Sequence, residues 1–384
     1  MKYRVTCLTP TLVGDGQRLS PIDYMVWKDH VNVLDQRRIF RLLAKGPRLD
    51  GYLAQLKKSD KLDFASWGGF AQNFAGRRIP FEHPGAAEFL NRASQQDTFI
   101  PTFATATAGP YLPASALKGA LRTAFVHGRW NERASNDLAE RAASGDPRAF
   151  RHPGLGVEDV TLGPGGANAM RAILPADSSP IAESSFRIFL LRTSTLESRG
   201  GQGKYELAWK TSPRGSVPGR RPDDSTPTFA EMAVPGATFE GAWQENEFIK
   251  RGGRAAGNPR VPDRNAILQA ANDYAAALLA LHRRYAEWTS LGLLGAAISG
   301  LERKVTEVRA AGGGCVLPLG WAAGFLSKVA NLDTTDEPFR QVLRQISFYS
   351  RAVQSGLPFP KTRRIVFLGN QPATLAGWVL LEIS

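Results

Sequence analysis

Lys118 and Arg122 lie four residues apart in the stretch YLPASALKGALRTAF (residues 111–125), so on a helix they share one face. Ser115 sits one turn above them, and Gly119 lies between them. Two cations, a hydroxyl and a bare backbone position near a helix start are groups that can receive a phosphate. The unpaired N–H groups and the positive end of the helix dipole both favour an anion there. The element that positions them is legible in the same stretch. Pro113 suits a helix entrance, because its missing N–H would have no partner there. Ser115 is the expected N-cap. Ala116, Leu117, Ala120, Leu121, Ala124 and Phe125 recur at helical spacing as a buried stripe. Gly119 costs about 1 kcal/mol of helix propensity relative to alanine, which suggests that something approaches the backbone at that point. An ordinary amphipathic helix with a solvated basic face is the competing interpretation, and the local pattern leaves both open.

Other constellations carry less chemistry. GGQGKYEL has the Gly-Lys pair of a phosphate-binding loop, but such a loop needs glycine five residues earlier and Ser or Thr after the lysine. Ser198 and Tyr205 occupy those places, so the nucleotide-binding reading fails at both ends. A metal-independent ribonuclease would need a positioned histidine. Of His30, His83, His127, His152 and His282, two begin His-Pro-Gly turns, and His282 is expected on the surface beside Arg283 and Arg284. His127, one turn beyond Arg122, is the catalytic candidate, against a plain role at a helix end. Asp15, Asp23, Asp29 and Asp35 crowd one loop and hairpin, where aspartate also serves turns. Asp177-Ser178 reads as a strand-ending turn, or as a pair orienting a basic group or an RNA hydroxyl. No residue is assigned a catalytic role, and no metal site or cofactor is expected.

The whole chain carries a formal net charge of +13 over 384 residues, with a pI of about 9.9. That field concentrates polyanions, so nucleic acid is the first partner to consider. With 43% hydrophobic and 22% charged residues the chain is globular, and its length suggests two domains. Cys7 and Cys315 are too few for a disulfide framework or a cysteine zinc site. The N-terminus lacks the pattern of a signal peptide and no apolar run spans a bilayer, so a cytoplasmic location without membrane partners is expected.

Strands are expected at KYRVTCLT, in a hairpin DYMVWKDHVNVLD turning near Lys28-Asp29-His30, at SFRIFLLRTST, through AEMAVPGATFEGAWQEN, and at the closing RRIVFLG and LAGWVLLEI. Helical patterns fill much of 36–100 and, most strongly, 264–309. Strands alternate with helices in both halves, an α+β arrangement. Leu112-Pro113 with Gly119 and Leu121 is echoed, at the same offsets, by Leu317-Pro318 with Gly324 and Leu326. The echo suggests two related halves, each with a helix start beside a small residue and a following cation, Arg122 or Lys328.

The core Pro113, Ser115, Lys118, Gly119, Arg122 resembles the Pro-x-Ser-x-x-Lys-Gly-x-x-Arg helix motif of the RAMP proteins of CRISPR effector complexes. LTPTLVGDGQRLSPIDYMVW, MRAILPADSSPI, LPLGWAAGFLSKV and PKTRRIVFLGNQPATLAGWVLLEI, in that order, resemble one RAMP branch, the fifth subunit of type III-A Csm complexes. The glycine-rich C-terminal loop departs from that branch, because Trp321, Ala322 and Ala323 stand between Gly320 and Gly324. Trp321 could instead offer a stacking face.

The resemblance implies two ferredoxin-like, RRM-related RAMP domains, 1–190 with a helical insertion at about 36–100 and 191–384 with another at about 264–309. It implies a non-catalytic subunit that binds CRISPR RNA, caps the backbone filament at the 3′ side of the guide and takes part in its maturation, for antiviral defence. Expected partners are CRISPR RNA, the other effector subunits and cellular nucleases that trim the guide. The expected RNA-binding residues are Gly14 and Gly16 in the first loop, Ser115, Lys118, Gly119 and Arg122 in the motif helix, and Gly320, Gly324 and Lys328 in the C-terminal loop. Arg199 and Lys204, then Lys361, Arg363 and Arg364, add basic clusters that supply affinity without sequence preference. Lys210 with Arg214, and Lys250 with Arg251 and Arg254, are further clusters of the same kind. The competing functions are an endoribonuclease that trims the guide and a protein scaffold without RNA contact.

Overall fold

The computed structural model describes residues 1–46, 48–58, 74–93, 98–144, 154–165, 168–200, 204–211, 217–255 and 262–384. The opening strand β1 (Lys2–Cys7) alternates as read, with Tyr3, Val5 and Cys7 inward. A hairpin follows, β2 (Tyr24–Trp27) and β3 (His30–Leu34), with Lys28 at φ 53° in the turn. Two helices, α1 (Gln36–Leu43) and α2 (Arg48–Lys58), lead to β4 (Ala75–Pro80), which extends the hairpin into a three-stranded sheet. The 36–100 region is therefore helical with one strand that the pattern concealed. The reason is Arg77, which points inward to an ion pair with the buried Glu231 and so breaks the apolar alternation. Helix α3 (Gly85–Arg92) closes this region.

Helices α4 (Ala114–His127), α5 (Glu132–Ala143) and α6 (Gly154–Leu162) come next, then β5 (Ile173–Pro175) and the long β6 (Phe186–Ser198). Strands β7 (Tyr205–Trp209), β8 (Thr228–Ala233) and β9 (Thr238–Glu245) precede α7 (Glu247–Ala255). The 264–309 signal is a helical hairpin, α8 (Arg264–Thr289) and α9 (Gly292–Ala311). Asp263 caps α8 by accepting from Ala266 N at 2.7 Å, and Ser290, at φ 53°, ends it. The chain closes with β10 (Gly314–Pro318), α10 (Glu337–Gln345), α11 (Ser347–Gln354), β11 (Thr362–Leu368), β12 (Gln371–Leu375) and β13 (Trp378–Ile383).

The class is α+β, with antiparallel sheets. One five-stranded sheet runs β10-β13-β1-β9-β5; the other runs β7-β6-β11-β12, with β8 also paired to β6. Both sheets cross residue 190 rather than meeting there. β1 lies between β13 and β9, two strands from the C-terminal half, while β6 itself spans residue 190. Helices α4 and α8 pack against the first sheet, and the α8–α9 hairpin reaches the second. The edge strand β10 is buried, and its exposed ladder groups are satisfied from α8. Asn272 donates to Gly314 O at 3.1 Å and accepts from Val316 N at 3.0 Å. No helix among the described residues is long and apolar enough to cross a membrane.

Candidate nucleic-acid interface

Helix α4 begins at Ala114, with Pro113 extended before it (φ −63°, ψ 130°), and Ser115 does not cap it. The cap comes from a distant segment. Asp177 Oδ1 accepts from Ala114 N at 2.7 Å, and Ser178 Oγ accepts from Leu112 N at 2.9 Å while donating to Ser179 O at 2.8 Å. Asp177-Ser178 thus anchors the motif helix rather than forming only a local turn. A carboxylate already sits where the helix dipole most favours an anion, so the helix start is not free for phosphate as the pattern suggested.

The two cations of the motif differ in state. Arg122 is ion-paired to Glu158 of α6, and its Nε is buried without a hydrogen-bond partner. Lys118 is half-buried, and its ammonium pKa is lowered by desolvation and, less, by Arg122. Ser115 is exposed on the same stripe.

The neighbouring face of α4 lines a cleft of about 700 Å3. Into it the fold brings Gly14 and Gly16 from the first loop, Gly119 from the helix, and Gly320, Trp321 and Lys328 from the C-terminal loop. The first loop is pinned by Ala104 N donating to Val13 O at 2.9 Å and Thr102 N donating to Gln17 O at 3.2 Å. The C-terminal loop packs its backbone on the first, with Trp321 N donating to Leu12 O at 2.8 Å. Gly320 (φ 93°) is required by that contact, since a Cβ there would collide with the Leu12 carbonyl. Its close approach is therefore to protein. Gly16 and Gly119 have open space before them.

Arg18 and Lys328 supply the charge of the cleft, and no described lining residue carries a carboxylate. Arg18 was missed in the sequence although it stands two residues after the Gly14-Asp15-Gly16 loop; it lies over the Phe99 ring at 4.3 Å. Arg364 lies over the Trp321 ring at 4.0 Å, its guanidinium pKa lowered by desolvation.

Other expected contacts lie elsewhere. Arg363 is buried. It donates from Nε to His282 Nδ1 at 3.0 Å and to the carbonyls of Pro360 and Thr362, so it presents nothing to a ligand. Burial lowers its pKa to about 10. His282, expected on the surface, is buried with it, and desolvation and then Arg363 push its pKa well below 6.5. Arg199 and Lys204 are exposed at the β6–β7 hairpin end, and Lys361 is half-buried before β11. Gly324 (φ 89°) is open but outside the cleft lining. Of the further basic clusters, Arg214 and the Arg254 side chain lie outside the described residues, and Lys250 is ion-paired to Glu245 and Glu247. The echo beginning at Leu317 forms two short 3-10 turns, Trp321–Ala323 and Leu326–Lys328, rather than a helix, because glycines at positive φ interrupt it.

The candidate catalytic groups are engaged within the fold, His127 by a distant segment and the aspartates by near neighbours. His127 Nδ1 bonds Ala330 O at 2.6 Å, and its ring packs on Tyr274. Asp15 accepts from Gln17 N, Asp23 from Ser20, and Asp35 from Arg38 N, while Asp29 pairs with His30. Trp209 and Trp243 are core residues.

Residues 4–186 match the model of the RAMP superfamily. The match covers just under half of the chain. The matched segment contains the Pro113–Arg122 motif and the first-loop glycines of the cleft. The full chain is similar in fold to two solved structures. One is a chain of a Csm–crRNA–target RNA ternary complex of a type III-A CRISPR–Cas system, 19% identical, with 100% of both chains covered and a TM-score of 0.68. The other is Csm5 of T. onnurineus, 17% identical, covering 98% of this chain and 99% of that one, with a TM-score of 0.58. Comparison with curated protein sequences finds no match. The RAMP likeness agrees with the ferredoxin-like α+β class expected from the motifs.

Proposed function

We propose that this chain is a non-catalytic RNA-binding component of a type III-A CRISPR effector. In this reading it caps the backbone filament at the 3′ side of the CRISPR RNA and takes part in guide maturation, leaving cleavage to separate nucleases. The observation that carries the proposal is the cleft. Four separate segments meet there, and the described lining contributes arginine and lysine but no carboxylate. Such a surface neutralises phosphate without reading sequence, which a guide-binding subunit requires. The net charge of +13 adds a long-range field of the same sign, and one structural relative belongs to a complex containing crRNA.

The test is binding of the full chain to labelled single-stranded RNA over a salt series, wild type beside Arg18→Ala/Lys328→Ala, with the RNA then run on a denaturing gel. Each phosphate contact contributes about −0.7 to the log–log salt slope for single strands. The double variant is expected to lose about two contacts' worth of slope and to leave the RNA intact. Equal slopes would refute the cleft as the interface, and shortened RNA that persists through purification would make the chain the trimming nuclease.

A further inference from the structure

Trp321 is unlike the core tryptophans. Trp209, Trp243 and Trp378 are each 1% exposed, whereas Trp321 is half-buried and forms part of the cleft wall. It stands on the turn after Gly320 and its own N–H donates to the Leu12 carbonyl, so the indole is carried by a fixed loop. Behind it lies Arg364. On β11 successive side chains alternate between faces, so Arg363 turns inward to α8 while Arg364 turns outward to the indole. Arg364 makes no ion pair among the described residues, and its charge is met by the indole π-system. Gly16, Gly119 and Lys328 border the same cleft, and neither glycine has a neighbour that would obstruct a ligand.

We infer that Trp321, backed by Arg364, is a stacking platform for one unpaired nucleobase, with the adjoining phosphates taken by Lys328 and Arg18. This rests on the RNA-binding function proposed above and adds to it that the cleft recognises a base face and not only charge. A rigid indole already covered on one side loses little conformational freedom when a base stacks on it. Every base has a π-face, so such a contact is tolerant of sequence. A cleft of about 700 Å3 is of the size that holds a small ligand rather than a duplex. Arg364 acts here as a positioning residue, and Trp321 is the contact.

The experiment compares an oligouridylate with inorganic polyphosphate, a polyanion without bases, as ligands of the full chain. Trp321→Ala is expected to weaken oligouridylate binding by about 5- to 150-fold, the range for loss of one base–aromatic stack. It should leave polyphosphate binding and the salt slope unchanged, while Trp321→Phe retains most of the RNA affinity. RNA should quench the emission present in wild type and absent from Trp321→Phe, and Arg364→Ala should reduce that quenching. Equal loss for both ligands in Trp321→Ala would mean that the indole only supports the loop, and would overturn the inference. Unchanged RNA affinity in Trp321→Ala, with Arg18→Ala/Lys328→Ala weakened, would overturn it while sparing the proposed function. A wild-type chain that binds no RNA would overturn both.

Discussion

Lowering the pH from 7.5 to 5.5 should destabilise this protein through one buried imidazole. His282 accepts a hydrogen bond from Arg363 Nε, so protonating Nδ1 would break that bond and set an imidazolium against a buried guanidinium. Its pKa in the fold is accordingly well below 6.5, by desolvation first and by Arg363 second. In the unfolded chain the imidazole titrates near its ordinary value of about 6.5. The sign follows from linkage. The folded pKa is depressed, so the unfolded state binds the extra proton, and the stability present above pH 6.5 is lost as pH falls below it. Across the two pH units the unfolded imidazole passes from about one-tenth to about nine-tenths protonated, which removes about 1.4 kcal/mol of unfolding free energy. The assay is urea unfolding at both pH values for wild type and His282→Asn. Asparagine keeps an acceptor oxygen near the Nδ1 position but does not titrate. The variant will be less stable at either pH because of the smaller side chain, and only the difference between the two pH values is diagnostic. If wild type and variant lose the same amount, His282 takes up its proton in the folded state and the buried contact with Arg363 is misassigned.

Two further outcomes test the positioning of the motif helix and of the loop across from it. Asp177→Ala should cost about 1 kcal/mol of unfolding free energy through loss of the α4 cap, and Ser178→Ala about 1–3 kcal/mol, because the buried Leu112 N–H is left unpaired. Unchanged urea midpoints would show that α4 does not depend on this anchor. Gly119→Ala should stabilise the chain by about 1 kcal/mol, having open space and a helical backbone, yet weaken RNA binding where a ligand approaches. Gly320→Ala, at φ 93° and against the Leu12 carbonyl, should cost on the order of 3 kcal/mol or more. Circular dichroism melts rank the two glycine variants, and the reverse order would refute the backbone packing described.

What could be read from the sequence was local. The alternation of KYRVTC, the hairpin at Lys28 and the 264–309 periodicity gave their elements, because each needs only near neighbours to declare its buried face. The errors share one cause, a partner far along the chain. The strand carrying Arg77 was concealed because its partner Glu231 lies 154 residues on, and Asp177 looked like a turn until it met Ala114. His282 sits beside two arginines in a helix and reads as solvated; its actual partner is Arg363, 81 residues on. The candidate site shows the same division. The glycines and cations were visible as residue types, but that Arg122 is ion-paired to Glu158 and that Trp321 is backed by Arg364 are facts of tertiary contact.

The same long-range closure gives the cleft its character. Its walls come from residues 12–18, 101–102, 116–123 and 318–328, which are separate in sequence. They meet because β1 pairs with β13 across nearly the whole chain, from Tyr3 opposite Ile383 to Cys7 opposite Val379. Just past that ladder Gly377 N donates to Pro10 O, and Leu319 N donates to Gly377 O, so the two loops are joined through the turn before β13. The first loop has backbone partners of its own in Thr102 and Ala104, but the complete surface needs both ends of the chain, since the C-terminal loop rests on Leu12 and Gly377. The glycines therefore divide by purpose. Gly320 allows one loop to rest on the other, and Gly16 and Gly119 leave the space between them open. For the RNA-binding function proposed above, walls fixed in this way would reduce the ordering cost of binding a flexible strand.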